Sequence, residues 1–387
     1  MEPIKLFGMA GSLYTAKVRC YLRHQGLAYR EIPVGDPDFG QRIVPAVGRF
    51  IMPVIEMPDG TIVQDGTDII DFLEKSFDVP CSAYPSSALG RVVAHLFELF
   101  GGEGLLRPAM HFRWNFDDDN LTFLREDFCS GLAPGADFET MKKVFSRSSG
   151  AMRGAGQRFG VTPDTIALIE DQYLVFLDLL SDHLAAMPYL LGKGPSLGDY
   201  GFVGPLYAHL GRDPHPAELM KRIAPTVFRW TERMNAPEDY GFGYRAEAMS
   251  SDLEPVIPET LKALMAYVAS DYLPELEAHV AFANEWLAAR PDLEAGTNGL
   301  EDPAARAIGK AAFELHGHVF ESMVMPYRFY LLERLQKAYG EAASGDRADI
   351  QALFEETGLA PMLSLRTTRP VERRNHLEVW GQVRPSA

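Results

Sequence analysis

The chain has 387 residues, 47% of them apolar, and its 37 Lys and Arg against 53 Asp and Glu leave a formal net charge of -16. That length suits two or three compact domains with a large core, and the acidic balance argues against a nucleic-acid or acidic-lipid surface, which needs clustered cations over a broad face. No apolar run reaches the ~18 to 20 residues that span a bilayer. Cys20, Cys81 and Cys129 are odd in number and far apart, which suggests neither a disulfide framework nor a CxxC metal site. An apolar strand already under way at Ile4 leaves no room for a leader, so the expected location is cytoplasmic.

The first eighty residues predict strand, helix, strand, short helix, strand, turn, strand and helix. Pro3 to Gly8 and Ala28 to Val34 read as strands joined by a helix carrying Tyr14, Val18, Tyr21, Leu22 and Gln25, and so as parallel neighbours. Pro53 opens a third strand, Pro58-Asp59-Gly60 turns it, and a fourth ends on Gln64-Asp65-Gly66-Thr67, where a helix begins at once. Its free N-H groups and positive dipole end suit a small anionic ligand.

Residues 79–87, rich in Pro and Ser, read as a linker, and nearly everything beyond is expected to be helical. Thr162-Pro163 predicts a helix start with Ile166, Ile169, Tyr173, Phe176, Leu180 and Leu184 on one face. Ser196 and Asp199 have the spacing of a reciprocal cap, and one helix is expected from Pro216 to Asn235. Leu261 to Val268 and Leu276 to Trp286 suggest two more, Phe313 to Tyr339 a long apolar stretch interrupted at Pro326, and Arg366 to Trp380 shows no clear period.

The order βαβ then ββα, Pro53 at the third strand, the acid before the third helix, and a helical partner with Ser196-x-x-Asp199 together resemble the glutathione S-transferase superfamily over about residues 3 to 240. The resemblance implies an α+β chain. Residues 1–78 form a thioredoxin-like domain that binds glutathione, 88–245 an all-helical domain, and 246–387 an additional helical extension outside the family's usual length. It further implies a glutathione-using transferase, cytoplasmic and homodimeric, with no metal, no nucleic acid and no membrane span.

Carried over position by position, Ser12 falls where an activating hydroxyl sits, with Tyr14 and Thr15 as alternative hydroxyls. A hydroxyl donor and a helix N-terminus stabilise a thiolate, and Ser does so without itself forming mixed disulfides. Met52 and Pro53 are expected to pair with the cysteinyl backbone of glutathione and Asp65 to take the γ-glutamyl ammonium. Gly66 stands where the family has a Ser hydroxyl for the γ-glutamyl carboxylate, so the Gly66 N-H or Thr67 must replace it. Arg49 stands in for an absent Lys. Met110, Phe112, Arg113 and Trp114 are assigned to a second-substrate pocket for an apolar or aromatic electrophile, with domain-interface packing as the other reading.

Glu314, His316, His318 and Glu321 lie together, but on a helix His316 and His318 point about 200° apart, so surface pairing is expected rather than a metal site. Arg366, Arg369, Arg373 and Arg374 are expected to meet the protein's own carboxylates or a partner. The altered positions Gly66 and Arg49 motivate a second reading, a catalytically silent protein of the same fold serving interaction or structural work.

Overall fold

A computed structural model describes residues 2–236 and 257–385; the expected boundary at 245/246 lies outside the described residues. The N-terminal domain is a four-stranded sheet of order β2-β1-β3-β4, built from β1 (Ile4–Gly8), β2 (Tyr29–Pro33), β3 (Val54–Glu56) and β4 (Ile62–Gln64). Strand β1 pairs parallel with β2 and antiparallel with β3, and β3 is antiparallel to β4. A crossover helix α1 (Leu13–His24) forces the parallel pair. It packs so tightly that a Cβ on Gly8 would lie 2.3 Å from Thr15 Cγ2. After β2 come a π-helical turn (Phe39–Ile43) and α2 (Val44–Val47), and helix α3 (Gly66–Ser76) closes the domain. The fold is α+β, as the sequence order requires.

Helices α4 (Ala88–Leu99), α5 (Leu106–Trp114), α6 (Asp117–Leu132), α7 (Phe138–Arg158), α8 (Ile166–Ala186), α9 (Leu197–Ala208), α10 (Pro214–Ile223) and α11 (Pro225–Asn235) follow. Between α4 and α5 lies a π-helical stretch, Phe100–Gly104. Asp199 accepts the Ser196 N-H at 2.9 Å, the expected cap. Two expectations are corrected. Helix α8 starts at Ile166 because the Thr165 hydroxyl bonds back to Gly160 O, holding Thr162 to Thr165 as a turn. The segment from Pro216 to Asn235 is split at Ala224, because Pro225 supplies no N-H to continue α10.

The extension contains α12 (Glu259–Asp271), α13 (Leu273–Ala288), α14 (Pro326–Glu341) and α15 (Ser344–Glu356), but it is not wholly helical. Phe313 to Tyr339 is a hairpin, β5 (Gly309–Leu315) with β6 (His318–Val324), followed by α14. Ala311, Phe313 and Leu315 are buried and their neighbours are not, the period of a strand. His316 and Gly317, both at positive φ, form the turn. Glu314, His316, His318 and Glu321 therefore ride an exposed hairpin, not a helix, and Glu321 pairs with Lys310. A second hairpin, β7 (Val371–Arg374) with β8 (Leu377–Trp380), turns at Asn375 and His376, also at positive φ.

The extension shares one core with what precedes it. Leu264, Met265, Val268, Leu331 and Leu335 pack in the same buried cluster as Leu96, Phe97 and Phe100 of α4 and its continuation. Among the described residues no helix is long and apolar enough to cross a membrane.

The β7–β8 hairpin is tied to the first domain by ion pairs. Arg49 Nη1 and Nη2 donate to Glu378 at 2.6 and 2.8 Å, and Arg373, which also bonds Glu378, reaches Asp68 at 3.0 Å and Gln64 Oε1 at 2.6 Å. Removing one member leaves a buried charge underpaired. Arg49→Ala is expected to lower unfolding free energy by about 3 kcal/mol in a urea titration, with one cooperative transition retained.

Candidate functional site

The site lies where the N-termini of α1 and α3 and the turn before β3 converge. Ser12 caps α1 from an extended conformation, and its Oγ accepts the Thr15 N-H at 3.2 Å. That uses a lone pair and leaves the hydroxyl proton without a partner among the described residues. Ser12 is half-buried. The two other hydroxyls are placed differently. Tyr14 donates to Glu103 Oε1 at 3.0 Å, and burial, followed by the negative Glu103, pushes its phenol well above its ordinary value. Thr15 is fully buried against β1.

The Ser12 N-H donates to Met9 O, and Met9 belongs to the apolar cluster against which Met52 packs. This brings Ser12 close to the Met52-Pro53 bond, which is cis. Met52 is half-buried, and its backbone N-H and C=O form no hydrogen bond among the described residues. Pro53 is buried, and its carbonyl faces the Asp65 N-H at 3.5 Å.

Asp65 caps α3 from φ 89, a region costly for any residue but glycine. Three donors hold it there, all on Oδ1: Thr67 N at 2.9 Å, Asp68 N at 3.4 Å, and the Tyr327 hydroxyl of α14 at 3.0 Å. Asp65 Oδ2 bonds nothing among the described residues. The Gly66 N-H, at the first helical position, has no intrahelical partner. Thr67 is spent: its hydroxyl accepts from Lys17 Nζ at 2.9 Å and donates to Glu98 at 2.8 Å. Lys17 is buried and bonded to Glu98 at 2.6 Å, and a Cβ on Gly66 would lie 3.2 Å from Lys17 Cδ, a tight contact.

Helix α14 lies along α3 with its donors in register. Tyr327, Tyr330 and Arg334 meet Asp65, Asp68 and Asp71 in turn, at 3.0, 2.7 and 2.7 Å. Sequence reasoning assigned no role to Tyr327; Tyr327, Tyr330 and Arg334 on one helical face were its available signal. A cavity of about 20 Å³ beside Gly66, lined by Tyr14, Lys17, Glu98 and Tyr327 among others, has room for about one water. A larger ligand must approach on the half-open Ser12 and Met52 side.

Arg49 is turned to Glu378 and the His376 carbonyl. Arg113 is fully engaged, bidentate on Asp213 and bonded to the Gly11 and Ala208 carbonyls. Met110 and Trp114 pack with Phe313, Leu315 and Phe320 of the β5–β6 hairpin, and Phe112 lies in the main core. These four side chains sit in packed interior, at most 5% exposed. No group of His, Cys, Asp and Glu that would hold a metal occurs among the described residues.

Burial pushes the Glu378 carboxyl upward, but hydrogen bonds from Arg49 and the charges of Arg373, Arg306 and Arg49 outweigh it and bring it down to about 2. A carboxylate depressed in the folded state adds stability above its ordinary value and loses it on protonation. Thermal stability should therefore fall as pH drops from about 4.5 toward 2. In Glu378→Gln, differential scanning calorimetry should show a shallower fall over that window and a lower Tm at pH 7.

Residues 6–80 match the family model "Glutathione S-transferase, N-terminal domain". A search of curated proteins gives no match. Solved structures similar to this chain include a glutathione S-transferase from Xanthobacter autotrophicus, at 19% identity and TM-score 0.35 over 60% of this chain and 93% of that one. Another is the beta-etherase LigF from a Sphingobium strain, at 17% identity and TM-score 0.43 over 61% of this chain and 96% of that one. A third, from Phanerochaete chrysosporium, is a glutathione transferase at 16% identity and TM-score 0.44 over 62% of this chain and 98% of that one. The family match reaches the segment that carries Ser12, Pro53 and Asp65.

Proposed function

We propose that this chain, whose residues 6–80 match the N-terminal domain of glutathione S-transferases, is a glutathione-using transferase with Ser12 as the group that stabilises the thiolate. The observation that carries the reading is a run of polar groups left unpaired on one path: the Ser12 hydroxyl proton, the Met52 backbone, Asp65 Oδ2 and the Gly66 N-H. Open backbone groups and a helix N-terminus offer donors and acceptors that a ligand can take up. In this reading the Met52 backbone pairs with the cysteinyl unit. Asp65 Oδ2 receives the γ-glutamyl ammonium and the Gly66 N-H the γ-glutamyl carboxylate.

The Ser12 O-H then donates to the sulfur, helped by the positive end of α1. The thiolate attacks an electrophilic carbon of an apolar or aromatic substrate, forming a C-S bond as the leaving group departs with its electron pair. The Tyr14 hydroxyl already donates its hydrogen bond to Glu103, which favours Ser12 over Tyr14 as donor. A homodimer belongs to the same proposal.

One observation favours the silent alternative: Arg49 and the Thr67 hydroxyl are both engaged inside the chain. Calorimetry separates the two readings, since a silent protein takes up no glutathione. For the enzyme, Ser12→Ala should lower kcat/KM with a standard aromatic halide about 10- to 100-fold while glutathione affinity changes less than threefold, the loss of one hydrogen bond to a charged atom. Tyr14→Phe should retain activity. The ultraviolet absorbance of bound thiolate, titrated with pH, should show the sulfur's pKa rising in Ser12→Ala alone; an unchanged titration would remove Ser12 from the role.

A further inference from the structure

Arg306, in the segment between α13 and β5, has no hydrogen bond or ion pair among the described residues, and its Nε is sealed from solvent without a partner. Arg306 is half-buried, and a guanidinium partly withdrawn from water is stabilised by an anion that it can pair with. Its guanidinium lies over the ring of Tyr327, 5.9 Å from the centroid, and the hydroxyl of that same Tyr327 holds Asp65. Burial acts against its charge, but Glu378, Tyr14, Glu103 and Tyr327 all act on it favourably from nearby. Those groups belong to both sides of the site, Tyr14 on α1 and Glu378 on the hairpin clamped to Gln64, Asp68 and Arg49. Of the extension's Arg306, Arg328, Arg334 and Arg373, Arg306 alone makes no ion pair among the described residues.

The first domain lacks one anion donor. Gly66 offers no hydroxyl, and the Thr67 hydroxyl is bonded elsewhere. A ligand whose end is an α-amino acid presents an ammonium and a carboxylate about one residue's width apart. Asp65 Oδ2 answers the first, and a guanidinium answers the second with a planar fork.

We infer that Arg306 binds the α-carboxylate of the ligand's γ-glutamyl end together with the Gly66 N-H, so that the extension supplies a charged donor where Gly66 offers no hydroxyl. The inference rests on the glutathione reading above and deepens it. The extension completes the ligand site from a segment outside the N-terminal domain, and the chain should select thiols that carry a free α-amino acid group.

The test compares glutathione with 4-aminobutyryl-Cys-Gly, which keeps the peptide and the ammonium but lacks the α-carboxylate, by calorimetry on the full chain. The wild-type protein should bind the analogue about 10- to 100-fold more weakly, the weight of a charge-assisted pair. Arg306→Gln should bind glutathione that much more weakly and discriminate between the two ligands less than threefold, with Arg306→Lys in between. Equal affinity of the wild type for both ligands overturns the role of Arg306 and leaves the glutathione reading standing, as does full discrimination retained by Arg306→Gln. Failure of the wild type to bind either ligand overturns both. The comparison of ligands on the wild-type protein needs no variant to fold.

Discussion

Three carboxylates spaced three residues apart, Asp65, Asp68 and Asp71, run along the start of α3, and covering them is the constraint on which the arrangement depends. Their position at a helix N-terminus is favourable in water. Once another helix lies over them they must be given donors or protons, because a buried carboxylate without a partner is among the most costly groups a fold can contain. Helix α14 gives Tyr327, Tyr330 and Arg334 at matching spacing. Burial and the neighbouring Asp65 raise the Asp68 carboxyl above its ordinary value, and the Arg373 charge opposes them. The ladder is therefore balanced by groups from two separate parts of the extension.

The same ladder shapes the site. Bonding Asp65 only through Oδ1 fixes its carboxylate in an unfavourable backbone conformation and leaves Oδ2 open. The Lys17 to Glu98 pair is buried beneath, with Lys17 Cδ 3.2 Å from where a Cβ at position 66 would stand. Apolar packing follows suit, with the β5–β6 hairpin placing Phe313, Leu315 and Phe320 among Met110, Trp114 and Phe128.

Much of the first domain was legible because its signals are local. A cap at Ser12, a stop at Gly26, the Pro58-Asp59-Gly60 turn and an acid before α3 each act within a few residues. The hairpins of the extension were hidden for a different reason. Phe313 to Tyr339 holds two periods in sequence, two for the hairpin and then 3.6 for α14, and reading it as one stretch averages them away. The alternation of Ala311, Phe313 and Leu315 before His316-Gly317 was the signal that distinguishes them. At Thr162 a correct cap chemistry was present, but the Thr165 hydroxyl competed for the same backbone groups.

Sequence by itself determined the α+β class and the order of the first domain, since hydrophobic period, turn chemistry and capping act between near neighbours. Only the tertiary structure decided which polar groups remain open. Arg49 and Glu378 are 329 residues apart in sequence, and Asp65 and Tyr327 are 262 apart. Whether a side chain is spent or available depends on such partners, because a hydrogen bond is settled by distance in space and not along the chain.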